Sequence, residues 1–281
     1  MKQHLSVPLT ALLGGAVAFV LRLLQNRTGF EAATGLAIPG NIPALALVLF
    51  LALVTVSLLA MTLRLRGKGI RRPAFPANFS TDDPKQLTLS VAGSLLIALS
   101  GVADIFEGLT GGNLLAQLRS AADPYGLSAA AESMFAPRAQ LILGLLSLLA
   151  GAALLVSVIS CKRKDSADSF NPVMTLVAPV VLVVRLVLTY RADSVNPSLA
   201  AYYVSLLALV FLTLALYRFA AFAFEVGTSR RFTFYSGMAV LLNLAALADG
   251  GPHLSALLLC AGGAMFLLGF LLRTPQATVS E

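Results

Sequence analysis

The 281 residues are 58% hydrophobic and only 12% charged, with a mean hydropathy of +0.85, whereas a soluble domain of this size carries about 25% charged residues to cover its core. The apolar residues run in blocks of roughly 18 to 25, the length a helix needs to cross about 30 Å of hydrocarbon, so a soluble globular class is excluded. The net charge of +7 does not signal nucleic acid, because the basic residues sit between apolar blocks and mostly on one side of them, as topology signals do.

The reading is an all-α, polytopic helical membrane protein with eight spans, over residues 7–24, 43–63, 87–106, 138–160, 172–190, 200–224, 232–249 and 254–273. Lys2, the apolar run after it and Ala16-Val17-Ala18 resemble a signal peptide. The run continues through Phe19, Val20 and Leu21, past where cleavage should end it, so an uncleaved first span is expected. Pro39-Gly40-Asn41 and Pro43 break the chain before the second span. Residues 64–86 are basic and proline-bearing, and are expected as a solvated or surface-lying loop near anionic headgroups. In the segment 107–137, residues 113–118 and 128–132 read either as short interfacial helices, with Asn113 and Ser128 as N-caps, or as a loosely ordered loop. Asn171-Pro172, Asn196-Pro197 and Gly250-Gly251-Pro252 punctuate the later spans. Residues 275–281 form a tail. The chain has no Trp, so Tyr190, Tyr202, Tyr203, Tyr217 and Tyr235, all near span ends, supply the interfacial aromatics.

Sidedness follows from the basic residues. Lys2, Arg64, Arg66, Lys68, Arg71, Arg72, Lys85, Lys162, Arg163, Lys164, Arg218, Arg230, Arg231 and Arg273 fall on one side of the spans, against Arg22, Arg27, Arg119, Arg138, Arg185 and Arg191 on the other. The excess places both termini in the cytoplasm of a cell membrane, read as a bacterial inner or plasma membrane. An even number of spans requires the two ends to agree.

The second half echoes the first. Residues 85–104 align without a gap on 230–249, so that Thr88 meets Thr233, Leu96 meets Leu241 and Asp104 meets Asp249. Val20-Leu21-Arg22-Leu23 matches Val183-Val184-Arg185-Leu186, Leu51-Ala52-Leu53-Val54 recurs as Leu207-Ala208-Leu209-Val210, and 144–153 lines up with 255–264. Leucines in apolar segments match by accident, but the ordered placement of Arg, Asp and Gly does not follow from composition. The expected organisation is two parallel four-helix halves, 1–165 and 166–274, with the tail 275–281. Four spans per half give both the same orientation, and any ligand path lies between them.

Ionised groups inside lipid need a partner, a cavity or a route to the headgroups. Arg22, Asp104, Arg185 and Asp249 lie at similar depth, near the ends of their spans away from the basic side. One arrangement pairs Arg22 with Asp104 and Arg185 with Asp249, one pair per half. The other lets all four snorkel. Pairing suits Arg185, which lies deeper, and snorkelling suits the aspartates. Asn243, a strongly polar side chain near mid-span, serves as interhelical glue or lines a polar pocket. Gly93, Ser100 and Gly101, Gly144, Ser147 and Gly151, and Ser255, Gly262 and Gly269 form stripes of small residues suited to close helix contact. Pro179, and Gly14-Gly15 at the matching place in span one, are points of weakness for bending.

Catalytic templates fail in turn. There is no His-Glu-x-x-His motif, Gly-x-Ser-x-Gly elbow or Walker loop; Cys161 and Cys260 lie too far apart in the topology to share a disulfide or a metal. No cofactor or metal is expected, nor a nucleic-acid partner. Two functions stand. The first is a small-solute transporter or permease-like component, for which Arg22, Asp104, Arg185, Asn243 and Asp249 are the candidate binding residues. The second is a non-catalytic subunit, scaffold or sensor that meets a membrane protein partner through its small-residue faces or its basic loop. In both the chain's surroundings are the lipid bilayer.

Overall fold

The computed structural model describes residues 6–31, 36–64, 79, 83–110, 136–162, 171–194, 198–249 and 253–273. Eight long helices follow one another through them: α1 (Ser6–Thr28), α2 (Ile42–Arg64), α3 (Pro84–Thr110), α4 (Pro137–Lys162), α5 (Met174–Asp193), α6 (Leu199–Ala223), α7 (Ser229–Ala246), continued by a 3-10 turn (Leu247–Asp249), and α8 (Leu254–Leu271). Each is long and apolar enough to cross a membrane. In hydrocarbon every backbone N–H and C=O must find its partner within the protein, and a helix satisfies its own. The chain is therefore an all-α, multi-pass membrane protein. The short segments expected at 113–118 and 128–132, most of the 64–86 loop and the tail lie outside the described residues.

All eight expected spans fall on these helices. The clearest differences are at α1 and α3, which run on to Thr28 and Thr110. The sequence reading ended them at 24 and 106. Gln25 and Glu107, just beyond those ends, are buried, so each helix continues past them. Local chemistry then sets the ends. The Asn41 Oδ1 accepts the Ala44 N–H at 3.0 Å, and its Nδ2 donates to the Thr28 carbonyl at 2.9 Å, so one side chain caps α2 and ties it to the end of α1.

Burial runs against hydropathy, as it should in lipid. The most apolar span, α2 (hydropathy 2.8), is the least buried at 22%; the least apolar, α7 (hydropathy 1.3), is the most buried at 72%. Lipid tails accept Leu and Val readily, so apolar side chains face outward: Leu45, Val48, Leu49, Leu53 and Val56 of α2 are all exposed. Polar and small side chains collect where helices meet.

Neighbour relations define the architecture. Helices α3, α4, α5, α6, α7 and α8 pack each against the next, and α8 closes back on α3, making a ring of six. Helices α1 and α2 buttress the ring from outside by packing against α7. This grouping of six and two cuts across the division of the sequence into four and four. Close approach around α3 depends on glycine. A Cβ at Gly93 would stand 2.7 Å from the Gly262 carbonyl oxygen of α8, and one at Gly101 2.5 Å from the Gly144 carbonyl oxygen of α4. The small-residue stripes read from the sequence are thus the two seams that hold α3.

The two ends of the bundle differ in charge. Asp104, Glu107, Asp193 and Asp249 gather at one, called here the acidic end. Arg64, Lys85, Arg218, Arg230, Arg231 and Arg273 mark the other, the basic end. At the basic end the ring is filled by phenylalanines. Phe79 comes from the α2–α3 connection, which the sequence placed at the surface, yet it is fully buried. Its ring centroid lies 5.0 to 5.6 Å from those of Phe219, Phe222, Phe232 and Phe270, mostly edge to face, the arrangement that aromatic quadrupoles favour.

Candidate functional site

The acidic end carries two buried arginines, and each is held by an aspartate from the other half of the sequence. Arg22 of α1, fully buried, donates through Nε to Asp249 Oδ1 at 2.5 Å. Its Nη1 donates to Gln25 Oε1 at 3.0 Å and to the Ala200 carbonyl at 2.9 Å, and its Nη2 to the Ala201 carbonyl at 2.6 Å. The guanidinium also lies over the Tyr203 ring, 5.3 Å from its centroid. Asp249 takes the Ser205 hydroxyl on its second oxygen, and the Asn26 amide bridges Asp249 and the Ala248 carbonyl. The 3-10 turn that ends α7 is what brings Asp249 into this cluster. Arg22 thereby clamps α1 to the first turn of α6 and the last of α7.

Arg185 of α5 forms the second cluster. Its Nη1 donates to Asp104 Oδ2 at 2.7 Å and to Ser147 Oγ at 3.3 Å, and its Nη2 to Ser255 Oγ at 3.2 Å. One side chain therefore joins four helices across the inside of the ring. The sequence expectation on pairing is corrected here: Arg22 bonds Asp249 and Arg185 bonds Asp104, not the reverse. Nor do the charges snorkel, since Asp104 and Arg22 are wholly enclosed. Linear order made α1 and α3 look like partners, but α1 lies against α7 and the aspartates exchange.

Beside Asp104, one turn on, Glu107 is also buried. Gln140 Nε2 donates to its Oε2 at 2.7 Å, and His253 Nδ1 lies 3.9 Å from the same oxygen. Glu107 Oε1 and Gln140 Oε1 are buried without a hydrogen-bond partner among the described residues. The sequence reading missed Glu107, Gln140, His253 and Asp193. Its one usable signal was the i, i+3 spacing of Asp104 and Glu107, which puts both carboxyls on one helix face.

Next to these clusters the ring opens into a cavity of about 350 Å3 at its acidic mouth. Its polar lining includes Arg185, Asp193, Asp249, His253, Gln140 and Ser205; Tyr202, Leu209 and Leu259 give it apolar walls. That volume lies within the range of small-molecule sites, as does the mixture of apolar wall and few polar groups. Deeper in the ring, past Leu259, only about 10 Å3 remains, bounded by Ile97, Leu154, Val181, Leu212 and Leu216 with Ser147 the sole polar residue. A space that small holds at most about one water molecule, and its lining offers almost nothing for a water to bond. The ring thus holds a cavity with a few polar groups on apolar walls at one mouth, narrows at an apolar waist and is packed with phenylalanine at the other mouth.

Of the five residues singled out in the sequence, Arg185 and Asp249 border the cavity. Arg22 and Asp104 brace those two from behind. Asn243 lies elsewhere: its Nδ2 donates to the Ala239 carbonyl of its own helix at 2.7 Å and reaches the Ala208 carbonyl of α6 at 3.5 Å. Among the described residues no group of three or more His, Cys, Asp or Glu could hold a metal ion. Compared with known protein families, with characterised proteins and with solved structures, the chain matches none.

Proposed function

We propose that this protein is a small-solute transporter or permease-like component, and that the cavity at the acidic mouth is its solute site. The observation that supports this is the profile of the ring interior: a cavity of about 350 Å3 bordered by charged and polar side chains at one end, and a narrow apolar waist and a phenylalanine cluster beyond it. A path closed at one end and open at the other is what alternating access requires of a resting state. In this reading Arg185 and Asp249, with Asp193 and His253, contact the solute; Arg22 and Asp104 hold them in place. Asn243 drops to a packing role.

The excess of basic residues at the far end puts that end in the cytoplasm, both termini with it, and turns the cavity outward from a plasma membrane. The four-and-four repeat belongs to the same reading. The sequence alignments support it, as does the equivalence of the two Arg–Asp pairs, and it supplies the second arrangement that access from the other side needs.

The test uses single cysteines in a chain carrying Cys161→Ser and Cys260→Ser, in sealed membranes, with a thiol reagent that does not cross lipid. Ala256→Cys, exposed in the cavity, should react from the acidic side only. Leu216→Cys, buried at the waist, should react slowly from the basic side as the path opens there. A waist cysteine that stays inert from both sides would sink transport and leave the alternative, a module that meets a partner through its helices.

A further inference from the structure

We propose that the solute held at the acidic mouth is a small organic cation, an ammonium head on an apolar body; this rests on the reading of that cavity as a solute site. The charges around the cavity do not cancel. Arg185 on its wall is matched by Asp104, and Asp249 by Arg22, so these two pairs add no net charge. Two further carboxylates remain. Asp193, at the end of α5, lines the cavity, and its electrostatic neighbours are His253 and Asp249. Glu107 stands behind the wall, bonded by Gln140 and 3.9 Å from His253 Nδ1, and both of those residues line the cavity. His253 is thus shared between two carboxylates, and even a fully protonated imidazole would leave one of them unmatched. Arg27, Arg138 and Arg191, the other described basic residues at this end, are exposed and stand outside the lining.

A negative charge in a half-enclosed cleft with apolar walls reaches further than in open water, because little solvent screens it. It draws in a cation and repels an anion. The rest of the wall narrows the class. Leu209, Leu259 and Ala256 offer apolar surface, and Tyr202 an aromatic ring. Apolar wall shelters a hydrocarbon body, and an aromatic face attracts an ammonium group through its quadrupole. A cavity of about 350 Å3 has room for both parts. Asp193, half-buried and matched by no arginine among the described residues, is the group that meets the ammonium.

The experiment reads binding rather than transport. The full chain carrying Cys161→Ser, Cys260→Ser and Ala256→Cys is purified in a nonionic detergent. The reaction of its cavity cysteine with uncharged iodoacetamide is timed with and without benzylammonium, benzoate or benzyl alcohol, which share a ring and differ in charge. Benzylammonium should slow the reaction at a lower concentration than either of the others. Asp193→Asn, which keeps the shape of the side chain, should weaken that protection about tenfold, the loss of one charge-assisted contact. Arg191→Gln, at an exposed arginine of the same end, should leave it unchanged. Equal protection by benzylammonium and benzoate, protection by neither, or benzylammonium protection untouched by Asp193→Asn would overturn the cationic class. In detergent both ends of the ring face solvent, so the outcome does not depend on a path through the waist. A waist cysteine inert from both sides, with benzylammonium protection intact, would sink transport and keep a cation-binding module.

Discussion

Arg22 shows what a single side chain must do inside lipid. A guanidinium taken out of water is costly unless nearly every donor is used and a counter-charge stands beside it. Here four hydrogen bonds, one of them to an aspartate, meet that demand. Removing one partner leaves the other charged and buried, which costs roughly 3–5 kcal/mol. The single substitutions Arg22→Asp and Asp249→Arg should therefore each lower the melting temperature of the purified protein sharply. The double exchange should recover much of the loss, because Asp249 sits at the cavity edge where a longer side chain has room. Combining Arg22→Asp with Asp104→Arg should recover nothing. Recovery in that second pair and not in the first would mean that α1 faces α3, contrary to the packing described. At this scale the sequence told which four residues carry charge and at what depth. It could not tell which arginine meets which aspartate, because partner choice depends on helix neighbours and those are not adjacent in the chain.

At the scale of the helix, glycine separates two kinds of position that look alike in sequence. Gly93 and Gly237 both lie inside spans, one on α3 and the other on α7. Only Gly93 has another backbone against it: an added Cβ would come 2.7 Å from the Gly262 carbonyl oxygen, whereas at Gly237 the nearest atom would be 3.5 Å away, an ordinary van der Waals contact. Gly93→Ala forces α3 and α8 apart and should destabilise by about 1–3 kcal/mol. Gly237→Ala meets no clash and removes a helix-weakening residue, so it should be neutral or stabilising by up to about 1 kcal/mol. Melting of the two variants side by side checks this, and equal losses would refute the idea that α3 is held by backbone contact. The existence of all eight helices was legible because hydropathy and length decide it. Their order around the ring was not, since the stripes on α3, α4 and α8 mark contact surfaces without naming partners. Glu107 was lost for a related reason: a carboxylate near a span end reads as solvated, and only the packing of α4 and α8 against α3 encloses it.

For the whole molecule, the proposed transport reading asks what keeps the basic mouth of the ring shut, and on that reading the plug is Phe79. The residue belongs to a connection whose composition points to the surface, yet its side chain is wholly buried among Phe219, Phe222, Phe232 and Phe270, which belong to three different helices of the ring. Arg273 reinforces the same end, donating from the close of α8 to the Gln86 carbonyl at 2.7 Å and to Ser90 Oγ at 2.8 Å at the start of α3. Truncating a buried phenylalanine to alanine costs about 3–5 kcal/mol, but a plug should reveal itself by where the loss is felt. Phe79→Ala should speed the reaction of Leu216→Cys with an impermeant thiol reagent added from the basic side. It should leave Ala256→Cys at the acidic mouth reacting as before. If both cysteines quicken together, the substitution has loosened the bundle as a whole, and Phe79 is a packing residue of the core with no part in gating. If only the waist responds, then the waist and the phenylalanine cluster form one barrier, and the wide acidic mouth is one half of a path whose other half Phe79 closes.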